Sequence, residues 1–97
     1  MAEMSMKLGR LVATKSVSDK MSTNREFYNF VWKSLERYVR MDWGDITKED
    51  KQQNDEAVLY GERILAVYKH DDSDEGTIWI ITEWDRSVTT VLFPDEY

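Results

Sequence analysis

The spacing of apolar residues changes character along the chain, from a helical period in the first half to a two-residue period in the second. Between residues 24 and 41, Phe27, Phe30, Val31, Leu35 and Tyr38 recur at helical spacing, with Arg25, Asn29, Lys33, Glu36 and Arg40 on the opposite side. This predicts an amphipathic helix. Thr23 followed three residues later by Glu26 fits a capping box at its start. Tyr28 and Trp32, four apart, extend the apolar side and predict a wide core face. Residues 42–45, Asp42-Trp43-Gly44-Asp45, break the helix, because Gly44 tolerates a left-handed backbone and Asp bonds local backbone in turns.

Thr47 then caps a second predicted helix over 48–60, with Glu49 and Asp50 in the first turn, where the helix dipole favours carboxylates. Its apolar side (Ala57, Val58, Tyr60) is sparse, which places it at the edge of the domain, and Gly61 is a natural stop. Beyond it, segments 63–69, 77–84 and 88–93 are rich in β-branched and aromatic residues and read as three strands. Ile78, Ile80 and Thr82 share one face of the middle strand; Trp79, Ile81 and Glu83 share the other. A polar loop (70–76) and a tight turn (85–87) join them, and Pro94 ends the last strand. Ahead of the helices, 7–14 suits a first strand or extended arm, 16–22 is polar and turn-like with one helical turn around 17–21, and 1–6 is a frayed start. The expectation is one α+β domain over 1–97, in the order β-α-α-β-β-β. Two main helices pack on one face of an antiparallel β-meander.

Composition narrows the class. Ninety-seven residues suit one core, and 41% hydrophobic content with four Trp, five Tyr and three Phe suffices to fold it. The chain has no cysteine, which excludes disulfides, thiol catalysis and cysteine-ligated metals. Residues 1–10 lack a signal-peptide apolar region, and the longest apolar run, 78–81, is too short to span a bilayer. A cytoplasmic, soluble protein is expected.

The net charge of −6 conceals an asymmetry: residues 1–41 hold eight Lys/Arg against four Asp/Glu, residues 42–97 five against fifteen. An acidic surface of this kind repels nucleic-acid phosphates, so no direct nucleic-acid binding is expected, and it attracts a basic groove on another protein.

Catalytic and metal chemistry find little support. Residues 71–76 resemble the start of a calcium loop, but the twelfth position is Thr82 where a bidentate Glu is required. A single His without Cys builds no typical transition-metal site, and no serine-nucleophile or phosphate-loop motif occurs. No cofactor is expected. His70, Glu83 and Arg86, on or beside neighbouring strands, are the one acid–base set, loosely similar to ribonuclease toxins of the barnase and RelE type; Glu83 and Arg86 also suit a surface ion pair. The remaining signal is carboxylate clusters that can imitate duplex phosphates. The candidate partner-binding residues are Asp42, Trp43 and Asp45, then Asp71, Asp72, Asp74 and Glu75, then Asp95 and Glu96. Trp43 is either a plug under the fold or a binding anchor.

Residues 9–14, 42–45, 54–57, 61–66 and the run 78–97 (IWIITEWDRSVTTVLFPDEY) carry a family resemblance. On them, the chain resembles small uncharacterised acidic proteins of bacterial plasmids and mobile elements. The resemblance implies no catalytic residue. It implies a context in which small acidic proteins act against host defence, as anti-CRISPR and anti-restriction proteins do. The function expected is therefore a non-enzymatic protein-binding module, an anti-defence inhibitor with a DNA-mimicking surface; the alternatives are a ribonuclease toxin or a plasmid-maintenance domain. Nothing in the sequence sets an oligomeric state.

Overall fold

The computed structural model describes residues 7–71 and 76–97. Strand β1 (Arg10–Ala13) is followed by α1 (Lys15–Thr23), α2 (Arg25–Val39) and α3 (Lys48–Tyr60), then β2 (Ile64–Lys69), β3 (Thr77–Thr82), β4 (Val88–Leu92) and a 3-10 turn (Pro94–Glu96). The domain is α+β, with three α-helices where two main ones were expected.

The additional helix is α1. Its composition is polar and only Val17 is buried, so periodicity barely marks it. It is fixed instead by Thr14, whose side chain accepts from the Val17 N–H, and by the Lys15–Asp19 pair one turn apart. The α1–α2 junction moves the predicted cap by one residue. Asn24 caps α2 by accepting from Phe27 N at 3.0 Å, while the Thr23 hydroxyl donates back to the Asp19 carbonyl at 3.1 Å. The stripe Phe27, Val31, Leu35 and Tyr38 is buried as its spacing predicts. Tyr28 and Trp32 are not core: both rings lie on the surface, because they sit off the centre of that stripe, on a flank that no other element covers among the described residues.

The sheet has the order β1-β4-β3-β2. The meander β2-β3-β4 is antiparallel as expected, but β1 lies parallel to β4, so the sheet is mixed. The helices carry the chain across the sheet from one edge to the other, so β1 and β2 run in the same direction at opposite edges. Arg10 N donates to Ser87 O and Thr14 N to Val91 O, each at 3.0 Å. Helix α2 packs over one sheet face, meeting Ile64, Ala66, Tyr68, Ile78, Ile80 and Val91 in a common core.

One buried hydroxyl chain stitches these layers. Thr89 Oγ1 donates to Leu8 O, so its oxygen must accept from Thr82, whose oxygen in turn accepts from Tyr38. Both hydroxyl–hydroxyl distances are 2.7 Å. Burial pushes the Tyr38 phenol well above the ordinary tyrosine range, against the Thr82 hydrogen bond, which pulls the other way.

The far face of the sheet carries no helix among the described residues. Long side chains cover part of it instead: Tyr97 lies on Trp79 with ring centroids 5.1 Å apart, and the Arg63 guanidinium sits over the Tyr97 ring and donates to its hydroxyl at 2.6 Å. Ile81 and Leu92 are buried on the same face.

Candidate interaction site

The segment Asp42-Trp43-Gly44-Asp45 is committed to the fold. The Trp43 indole is 2% exposed, lies edge-on to Tyr38 at 5.4 Å and donates from Nε1 to Asp55 at 2.9 Å. Trp43 is thus the plug and offers no surface to a partner, which removes it from the candidate binding set. The Asp42 carboxylate takes Arg37 Nε at 2.8 Å and Nη2 at 3.1 Å, and accepts from Gly44 N at 3.2 Å. The Arg37 hydrogen bond holds its pKa below the usual carboxylate range. Gly44 has φ of 78° and bridges to Val67. Asp45 donates its N–H to Val67 O at 2.7 Å and accepts from Lys69 N through its carboxylate at 3.0 Å.

These bonds fall on the outer edge of β2. Further along the same edge, Asn54 of α3 donates to Leu65 O at 2.8 Å and accepts from Leu65 N at 3.4 Å. An exposed strand edge is a template for pairing with another chain. Here a helix side chain and a turn occupy it, so α3 does lie at the domain edge, with a sealing role.

The other candidates divide. Glu96 is bound: one oxygen accepts from Phe93 N and from the Thr14 hydroxyl, both at 2.8 Å, and the backbone bond from Phe93 chiefly lowers its pKa. Asp95 is exposed on the same turn. Asp71 is exposed, packed against Gly76, where an added Cβ would collide with its carboxylate. Asp72, Asp74 and Glu75, with most of the calcium-like loop, lie outside the described residues. Among the described residues no cluster of three His, Cys, Asp or Glu side chains could hold a metal.

The proposed acid–base set is not assembled. His70 lies at the start of the β2–β3 loop, where its ring is 5.2 Å from Phe30 and its Nε2 is 3.3 Å from Glu26. Glu83 follows the far end of β3, about 20 Å away along the strand at ~3.3 Å per residue. Its partner is Arg63, at 3.9 Å, and not Arg86.

Arg86 has a different task. Its Nη1 donates to the carbonyls of Glu62 (2.7 Å), Glu83 (3.1 Å) and Trp84 (3.2 Å), and its Nη2 donates to Ala57 O (2.8 Å). One guanidinium therefore joins the C-terminal end of α3 to the β3–β4 turn and places a cation where the helix dipole is negative. Gly61, at φ of 72°, ends α3 as the sequence predicts and aims the chain into this junction.

Three large apolar side chains on the segments joined here are exposed. Leu59 is 68% exposed, Tyr60 74% and Trp84 67%. Glu56 lies one turn before Leu59 and Tyr60 on α3; Glu62 and Asp85 flank the two segments that Arg86 holds. A shallow depression of about 620 Å³ beside it, between α3 and β2, includes Asp50, Glu62 and Arg63 in its lining. Sequence reasoning missed this site. The available signal was Tyr60 and Leu59 at the end of a helix with few apolar positions, and Trp84 at the end of the predicted 77–84 strand, which in the structure stops at Thr82. Neither spacing says that Arg86 joins the two segments.

No family model, curated protein or solved structure matches this chain. No helix among the described residues is long and apolar enough to cross a membrane.

Proposed function

We propose that this protein is a non-enzymatic binding module that grips a basic partner through the patch formed by Leu59, Tyr60 and Trp84 with Glu56, Glu62 and Asp85. The observation that carries the reading is that Arg86 ties the C-terminal end of α3, which bears exposed Leu59 and Tyr60, to the backbone of exposed Trp84, with Glu56, Glu62 and Asp85 on the same segments. Aromatic anchors ringed by charge are the usual source of affinity in such contacts, and rigid placement lowers the ordering cost on binding. Carboxylates steer a cationic partner and reject a polyanion. The partner class that fits is a nucleic-acid enzyme with a basic groove, and the role that fits is anti-defence inhibition on behalf of a mobile element.

The test is plasmid and phage interference in cells carrying defined CRISPR or restriction systems, with and without the protein. Restored transformation in one system, lost in the Tyr60→Ser/Trp84→Ser variant that keeps its folded circular-dichroism spectrum, is the expected result. Unchanged interference across the panel with soluble, expressed protein would reject the anti-defence role. Restoration that is indifferent to both substitutions would reject the patch.

A further inference from the structure

The basic half of the chain has an exposed aromatic surface of its own. On the outer side of α2, Tyr28 is 46% and Trp32 44% exposed, their rings edge-to-face with centroids 6.4 Å apart. Arg25 precedes Tyr28 by three residues, Lys33 adjoins Trp32, and Arg40 continues the same side two turns on. Glu36 is the carboxylate interspersed there, since Glu26 lies against His70. Helix α3 presents the converse: Glu49, Gln53, Glu56 and Tyr60 follow one another at three- and four-residue spacing, ending in the patch with Leu59 and Trp84. Of the seven large hydrophobic side chains most exposed in the described structure, five belong to these two surfaces. The surfaces carry opposite charge.

We infer that the outer face of α2 docks on the Tyr60–Trp84 patch of a second copy of this chain. The inference rests on reading that patch as an interaction site, and it names a further occupant. The match is one of charge and type: a cationic aromatic face against an anionic aromatic one, each too apolar to be explained by solubility. The two surfaces are different, so each copy offers both, and reciprocal use of the pair closes a two-fold dimer while single use leaves a chain that can extend. Edge pairing through β2 is not available as an alternative, because Asn54 and Asp45 occupy that edge. A copy docked this way covers the surface offered to a basic partner, so self-association and partner binding compete.

Sedimentation velocity of the full chain across a wide concentration range, in low and in about 0.5 M salt, tests this. The expected result is reversible association that weakens roughly tenfold in high salt. The Arg25→Glu/Lys33→Glu and Glu56→Lys/Glu62→Lys variants each place like charges in contact and should sediment as monomers. Mixed one to one, they restore opposite charges at both contacts and should associate again. A wild-type protein that stays monomeric throughout, charge-reversed variants that associate as wild type does, or a mixture that fails to recover would each overturn the inference. The Arg25→Glu/Lys33→Glu variant keeps the α3 patch intact. If it still restores plasmid transformation while showing no defect in self-association, the dimer falls and the partner reading stands.

Discussion

Replacing Arg86 separates a side-chain contribution from a backbone one at a single position. The guanidinium makes four bonds to carbonyls: those to Ala57 and Glu83 are part-buried, those to Glu62 and Trp84 exposed. Counting about 1 kcal/mol for each part-buried bond and about 0.5 kcal/mol for each exposed one gives about 3 kcal/mol for the clamp. Against this, Arg86 has φ of 60°, a left-handed conformation that costs a non-glycine residue about 1 kcal/mol and a glycine almost nothing. Arg86→Ala loses the clamp and keeps the strain, so it should be destabilised by about 3 kcal/mol. Arg86→Gly loses the same bonds and regains about 1 kcal/mol, and should fall between. Arg86→Lys keeps the charge, but one ammonium cannot span carbonyls on two segments, and it should lose about half the clamp. The predicted order of stability is wild type, Lys, Gly, Ala, with Lys and Gly close together. Urea unfolding followed by tryptophan fluorescence reads it directly; at a slope of about 1.5 kcal/mol/M, the Ala variant's midpoint drops by roughly 2 M. An Ala variant within about 0.5 kcal/mol of wild type would refute the clamp, and a Gly variant more stable than wild type would show that strain outweighs it.

Further predictions follow from the same geometry. Gly44→Ala places a Cβ into the Val67 carbonyl oxygen and the Tyr68 ring and should prevent stable folding, whereas Gly61→Ala meets open space and should cost only about 1 kcal/mol by thermal unfolding. Trp43→Phe removes the donor to Asp55 and part of the core volume and should lower stability by about 2 kcal/mol in the same assay; a change under about 0.5 kcal/mol would contradict its role as a plug. In alkali, burial raises the Tyr38 and Tyr68 phenols, so their contribution is complete below the ordinary value of 10.0 and is lost as pH rises beyond it. Absorbance of tyrosinate should therefore show two phenols that ionise only as the chain unfolds. In acid, Asp42 and Glu96 have lowered pKa values, so stability is present above the ordinary 3.8 and 4.5 and falls as pH drops through their folded values. Asp42→Asn should flatten that acid limb in a series of unfolding curves.

Several elements were legible because their signal is local. The α2 stripe, the Thr47 cap and Gly61 stop of α3, and the core face shared by Ile78 and Ile80 in β3 each depend on residues a few positions apart, and the structure repeats them. Helix α1 is faint in the sequence for the converse reason: it has one buried residue, and beside its Thr14 cap and Lys15–Asp19 pair it is held by Val17 and Met21 packing on a core built elsewhere. The place of β1 beside β4 depends on backbone partners more than seventy residues away, which no periodicity encodes.

The two tryptophans set among acids mark that limit most plainly. Asp42-Trp43-Gly44-Asp45 and Glu83-Trp84-Asp85 look alike as local sequence, and the first leaves both a buried plug and a binding anchor open. Sequence determined that each tryptophan stands among carboxylates, Trp43 in the break after a helix and Trp84 at the end of a predicted strand. Only the tertiary structure decided that Trp43 finds Tyr38 and Asp55 and is buried, while Arg86 holds the backbone of Trp84 and leaves its indole exposed. Burial is set by what distant segments bring opposite a side chain, and that is a property of the assembled layers.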